Sequence, residues 1–171
     1  MAAPIYTQKE VDDLLAMPKV VQWDSRGRRG WDTHRERESI TIQVIVEGDE
    51  DIRFSIEAFR NTELGEFSLI LKGQIGARPL EGLCRYDIHD GPHRNHKDFW
   101  PPDEIADGKP HVHKYREKAI RQGLTWHSYA EILPDDCASV NDLTSRFLKD
   151  CNIKFQDKEP HQDLFGFMND E

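Results

Sequence analysis

Cysteine is scarce in this 171-residue chain: Cys84, Cys137 and Cys151 are odd in number and form no C-x-x-C pair. A disulfide framework and a zinc-thiolate site are therefore both excluded, and the three read as buried thiols. Long apolar runs are missing too. None approaches the roughly 18 to 20 residues of a membrane span, and Met1-Ala2-Ala3-Pro4 lacks the basic-then-apolar order of a secretory signal. A soluble, cytoplasmic protein with no membrane partner is expected. Positive charge is in deficit, 23 Lys+Arg against 32 Asp+Glu, for a net charge of −9 and a pI of about 5.4. That balance argues against coating nucleic acid by counterion release but leaves room for a local site. Hydrophobic residues reach only 37% and mean hydropathy is −0.76, which implies a thin core with polar edges. The length fits one domain over residues 1–155, followed by an acidic tail over 156–171.

The N-terminal element is a helix over about residues 8–17, because Thr7 and Glu10 have capping-box spacing and Val11, Leu14 and Leu15 recur at helical intervals before Pro18. Residues 24–38 carry five arginines with glycines and no apolar period, so a mobile loop is expected there. The period then becomes two. Ile40, Ile42, Val44 and Val46 alternate with polar positions, as do Ile52 to Phe59 and Phe67 to Ile75, the pattern of an antiparallel meander. A fourth strand, Gly82 to His89, and a fifth, His111 to Tyr115, bracket a loop rich in Gly, Pro and His. Weak helical or turn signals cover Lys118 to Gln122 and Trp126 to Ile132. A helix from Ser139 to about Asn152 carries Leu143, Phe147, Leu148 and Cys151 on one face.

Chemistry concentrates between residues 77 and 118, which hold 8 positive and 8 negative side chains and five of the eight histidines. Strand alternation puts Cys84, Tyr86 and Ile88 on one face and Arg85, Asp87 and His89 on the other, while His111, His113 and Tyr115 share a face. If the two strands are neighbours, one surface presents Arg, Asp, several His and Tyr, with His93, Arg94 and Asn95 at the loop mouth. Three chemistries come into question, and nucleophilic catalysis by Cys84 near His89 is set aside because alternation puts Cys84 on the opposite, apolar face. One is metal-independent RNA cleavage, with His111, His113 and His93 as proton carriers beside Tyr115, Arg85 neutralising the phosphorane, and Asp87 fixing a histidine tautomer. Arg116, Asn95 and Arg94 would then bind substrate. No cofactor is needed. The alternative is a divalent metal such as zinc, held by His111 and His113 with Asp87, His89 or His93 completing the site. The same residues also serve as ordinary turn caps.

The segment from Leu83 to His96 followed by Pro110 to Glu117 resembles the core signature of an uncharacterised bacterial and phage family. Arg85, Asp87, Gly91, Pro92, His93, Asn95, His111, His113, Tyr115, Arg116 and Glu117 carry the likeness. A looser similarity, a Tyr-Asp followed by paired histidines, links it to the TumE-like toxins of toxin–antitoxin pairs. That resemblance implies a toxin-like or defence-related ribonuclease, with RNA and a protein partner (an antitoxin or a host target) as partners.

The expectation is thus an α+β domain: an antiparallel sheet of about five strands, with an N-terminal and a C-terminal helix packed on one face. The leading function is RNA phosphodiester cleavage. The rivals are a non-enzymatic phage or mobile-element protein that inhibits a host protein, and a metal-dependent protein using the His-x-His pair.

Overall fold

The computed structural model describes residues 5–21, 32–34, 37–44, 46, 49–61, 63–89, 91–95, 104–105, 108–134 and 136–155. In chain order these form α1 (Gln8–Ala16), β1 (Lys19–Val21), β2 (Asp32–His34), β3 (Arg37–Val44), β4 (Ile52–Asn61), β5 (Glu66–Ile75), β6 (Glu81–Ile88), β7 (His93–Arg94), β8 (Glu104–Ile105), β9 (His111–Lys114), α2 (Glu117–Arg121), β10 (Ala130–Ile132), α3 (Val140–Asp150) and β11 (Ile153–Phe155). The architecture is α+β.

Both long helices start where their caps place them. The Thr7 hydroxyl accepts from the Glu10 backbone N–H while Glu10 accepts from Thr7 N–H, and Ser139 and Asp142 repeat the exchange at α3. Pro18 ends α1 by forcing Met17 into extended backbone (φ −60°, ψ 132°).

The main sheet has seven strands in the order β10-β9-β6-β5-β4-β3-β2, all antiparallel to their neighbours. It exceeds the five strands expected. β10 arises where the sequence suggested helix or turn, and β2 and the start of β3 lie inside the arginine-rich stretch expected to be loop. The remainder of that stretch, and the tail over 156–171, fall outside the described residues. β1 and β11 make a separate parallel pair, and β7 and β8 a short antiparallel one.

Alternation sends Ile56, Ala58, Leu69, Leu71, Cys84, Tyr86 and Val112 to one face of the sheet, where they join Val11 and Leu14 of α1 and Leu143, Phe147 and Leu148 of α3 in the core. Phe147 meets the Tyr86 ring edge-on at 5.5 Å between centroids. The three cysteines are free and buried as expected, with the Cys84 and Cys151 sulfurs 3.4 Å apart. The opposite face of β5, β6 and β9 is where polar side chains gather.

Candidate metal centre

Two facts of register assemble the site. β6 and β9 are neighbours, with Asp87 opposite His111 and Arg85 opposite His113, and β5 sets Ser68 opposite Asp87. Residues opposite one another in an antiparallel pair share a face, so Ser68, Asp87 and His111 form one row and Arg85 and His113 the next. Their sequence neighbours Tyr86, Ile88 and Val112 are in the core, which confirms the sidedness that alternation predicted.

The row is dry. Asp87 is 0% exposed, His111 1% and His113 6%. Asp87 Oδ1 accepts from Arg85 Nε at 2.7 Å and from Ser68 Oγ at 2.5 Å, and Arg85 Nη2 donates to the same Ser68 hydroxyl at 3.3 Å. Its other oxygen, Oδ2, stands 3.7 Å from His111 Nε2 and 3.6 Å from His113 Nε2. The imidazoles cross nearly edge-on, at 5.1 Å between centroids. The Lys109 carbonyl lies 2.8 Å from His111 Nδ1, so that nitrogen carries the proton in the neutral ring and Nε2 presents its lone pair towards Asp87.

One donor atom from each of Asp87, His111 and His113 lies within 4.8 Å of the others, the one such group among the described residues. Ligand atoms about 2.1 Å from a shared tetrahedral ion stand about 3.4 Å apart, so the carboxylate-to-imidazole spacings need only a small contraction.

A third histidine borders the site. His127 is half-buried, its ring 6.2 Å from that of His113. Burial, and then the charge of Arg85, lower its pKa from the ordinary histidine value. Its position follows from Trp126, whose ring stands edge-on to it at 5.0 Å and lies on the backbone of Gly82. A Cβ added at Gly82 would come within 2.3 Å of the indole.

Arg85, Asp87, His111 and His113 are therefore brought together. Tyr115 is not. β9 ends at Lys114, the alternation stops, and Tyr115 turns into the core, where its hydroxyl donates to the Tyr6 carbonyl at 2.6 Å. Arg116 stacks on Tyr129 at 4.7 Å and pairs with Glu131 at 2.9 Å. Asn95 is buried and brackets the backbone of Ala130, donating to its carbonyl and accepting from its N–H, each at 2.7 Å. Arg94 is exposed on β7. His93 begins β7, and its side chain lies outside the described residues. His89 follows the end of β6, is exposed, and has a left-handed backbone (φ 58°). Sequence reasoning missed Ser68 and His127. Ser68 was legible as a polar position in the alternation of β5, whereas His127 sits in a stretch without period.

No curated protein and no solved structure matches the chain. No comparison connects it with the TumE-like toxins. The profile of a family of unknown function, DUF6978, matches residues 6–153, which takes in the whole site and both long helices, and the chain belongs to that family.

Proposed function

We propose that this domain is metal-dependent and holds one divalent transition-metal ion through His111, His113 and Asp87. The observation that carries the reading is the convergence of three donor atoms within 4.8 Å on a buried sheet face, with one imidazole oriented by a backbone carbonyl. Two neutral nitrogens and one carboxylate oxygen suit zinc, iron or nickel better than magnesium or calcium, which prefer all-oxygen shells. Three protein ligands are the number found at catalytic centres, whereas structural zinc sites use four. An ion held there would supply Lewis acidity to an oxygen-bearing substrate. The protein's own part is to fix the His111 tautomer through Lys109, hold Asp87 through Ser68 and Arg85, and exclude water.

Metal-independent RNA cleavage is the second reading. The proximity of Asp87 to both imidazoles and the adjacent Arg85 guanidinium favour it. Burial weighs against it, because a phosphodiester has to touch the imidazoles and these are 1% and 6% exposed. Inhibition of a basic host protein rests on the net charge of −9 alone.

Elemental analysis of untagged protein, followed by chelation and titration with Zn²⁺, Co²⁺, Fe²⁺ and Mn²⁺, tests the proposal. One equivalent bound at micromolar affinity or tighter in the native protein, and lost in Asp87→Ala and His111→Ala, is the expected result. A folded native protein that binds none of the four overturns it. RNA cleavage that persists in excess chelator would decide for the acid–base reading.

A further inference from the structure

Two of the three cysteines meet in the core, on the side of β6 away from the candidate centre. Cys84 joins the core from β6 and Cys151 stands at the C-cap of α3, and their sulfurs lie 3.4 Å apart although 67 positions separate them in the chain. Both are nearly sealed from water, at 3% and 1% exposed. Bonded disulfide sulfurs are about 2.05 Å apart, so this contact needs a contraction of about 1.4 Å. Neighbouring contacts hold both partners in place. Tyr86, two residues along the same face of β6, donates its hydroxyl to Asp150 Oδ2 at 2.9 Å and receives the Phe147 ring edge-on, which fixes the last turn of α3 against β6. The Lys19 ammonium donates to the Cys151 carbonyl at 2.8 Å. Reactants positioned in this way meet at a high effective concentration.

We infer that Cys84 and Cys151 are a redox pair, which a peroxide oxidant joins into a disulfide that ties β6 to the end of α3. One thiolate attacks a peroxide oxygen, the O–O bond breaks, hydroxide leaves and the sulfur becomes a sulfenic acid. The second thiolate attacks that sulfur, the S–O bond breaks and a second hydroxide leaves. The two thiol protons turn both hydroxides into water, so two thiols are oxidised and one peroxide is reduced. Burial pushes the Cys151 thiol up, and the Lys19 ammonium works against that by favouring the thiolate. Neither thiol belongs to the candidate centre, so the pairing stands whether or not an ion binds there.

The choice of partner is a product of the fold. In an unfolded chain Cys137 and Cys151, 14 residues apart, close a much shorter loop than Cys84 and Cys151 and pair more readily. In the folded protein the 11 residues of α3 lie between Cys137 and Cys151, a length of about 16 Å. Cys137 instead sits buried beside Asp136, with its sulfur 3.8 Å from the carboxylate, and stays reduced.

The test treats reduced full-length protein with hydrogen peroxide in excess chelator, once folded and once in concentrated urea. Free thiols are then alkylated, and linked peptides are mapped by mass spectrometry. Folded protein should lose two of its three free thiols, carry a Cys84–Cys151 link in most chains and recover both thiols in dithiothreitol, whereas unfolded protein should give mainly the Cys137–Cys151 link. Cys137→Ala should oxidise as the native protein does, and Cys84→Ala and Cys151→Ala should form no internal link while folded. The urea midpoint of the oxidised form should rise, because the bond closes a long loop. Circular dichroism confirms folding, and if Cys84→Ala or Cys151→Ala does not fold, the native and Cys137→Ala peptide maps decide. The inference is overturned if folded protein keeps all three thiols in excess peroxide, if they advance to sulfinic acid without a link, if the link contains Cys137, or if the oxidised form unfolds at lower urea than the reduced one.

Discussion

Lys19→Met is the most informative perturbation of the scaffold. Lys19 is 0% exposed, and its ammonium donates to the carbonyls of Leu15 (3.0 Å), Met17 (2.8 Å) and Cys151 (2.8 Å). These are terminal acceptors of α1 and α3, so one side chain closes the C-terminal ends of both helices and favours both dipoles. The ammonium also sits 4.7 Å above the Phe54 ring. Methionine keeps the length of the stem and removes the donors. Three buried carbonyls left dry at about 2 kcal/mol each lose about 6 kcal/mol. Burial lowers the Lys19 pKa from 10.5 to about 8. Relief of that desolvation, at about 1.4 kcal/mol per pKa unit, returns about 3 kcal/mol. The net expectation at pH 7 is a loss of about 3 kcal/mol, read by urea unfolding.

The pH dependence has a definite sign. Between pH 8 and 10.5 the unfolded chain still holds a proton that folded Lys19 has shed, so this group adds stability as pH rises. The gap between native protein and Lys19→Met should widen by up to about 3 kcal/mol from pH 7 to pH 10.5. Burial raises the Cys151 pKa, which works in the opposite direction with rising pH; the Lys19 charge partly offsets that rise, so its removal leaves the opposing effect no smaller in Lys19→Met and does not narrow the gap. A Lys19→Met protein as stable as the native one at pH 7, or a gap that narrows as pH rises, would refute the reasoning.

Three further outcomes are expected. Phe147→Ala, which deletes a fully buried ring and its edge contact with Tyr86, should cost about 3 to 5 kcal/mol in urea unfolding while a folded population still binds metal. Asn95→Ala leaves the Ala130 N–H and carbonyl without their side-chain partner and should cost about 2 to 4 kcal/mol, with faster amide exchange along β10; unchanged exchange there would contradict the bracket role. Gly82→Ala drives a methyl group into Trp126, so it should move the Trp126 fluorescence and displace His127, and an unaltered spectrum would show that the indole does not rest on that backbone.

What was readable in the chain was local. Capping-box spacing marked α1, an apolar face at helical intervals marked α3, two-residue alternation marked β3 to β6 and set Arg85 and Asp87 on one face, and the same alternation put His111 and His113 side by side. Each signal needs only a few consecutive residues, because helix and strand periods are properties of the backbone itself. Tertiary structure decided what these faces met. Nothing within residues 81–88 or 111–114 states that β9 lies against β6, or that Asp87 falls opposite His111; closing the chain through the intervening residues selects that register, and a slip by one residue would have sent both histidines into the core. Tyr115 was misplaced because alternation says nothing about where a strand ends. His127 reaches the site because Trp126 finds a flat backbone at Gly82, 44 residues earlier, and Lys19 is buried because the ends of two helices distant in sequence converge on it. Both are products of packing between distant segments, which no local period encodes.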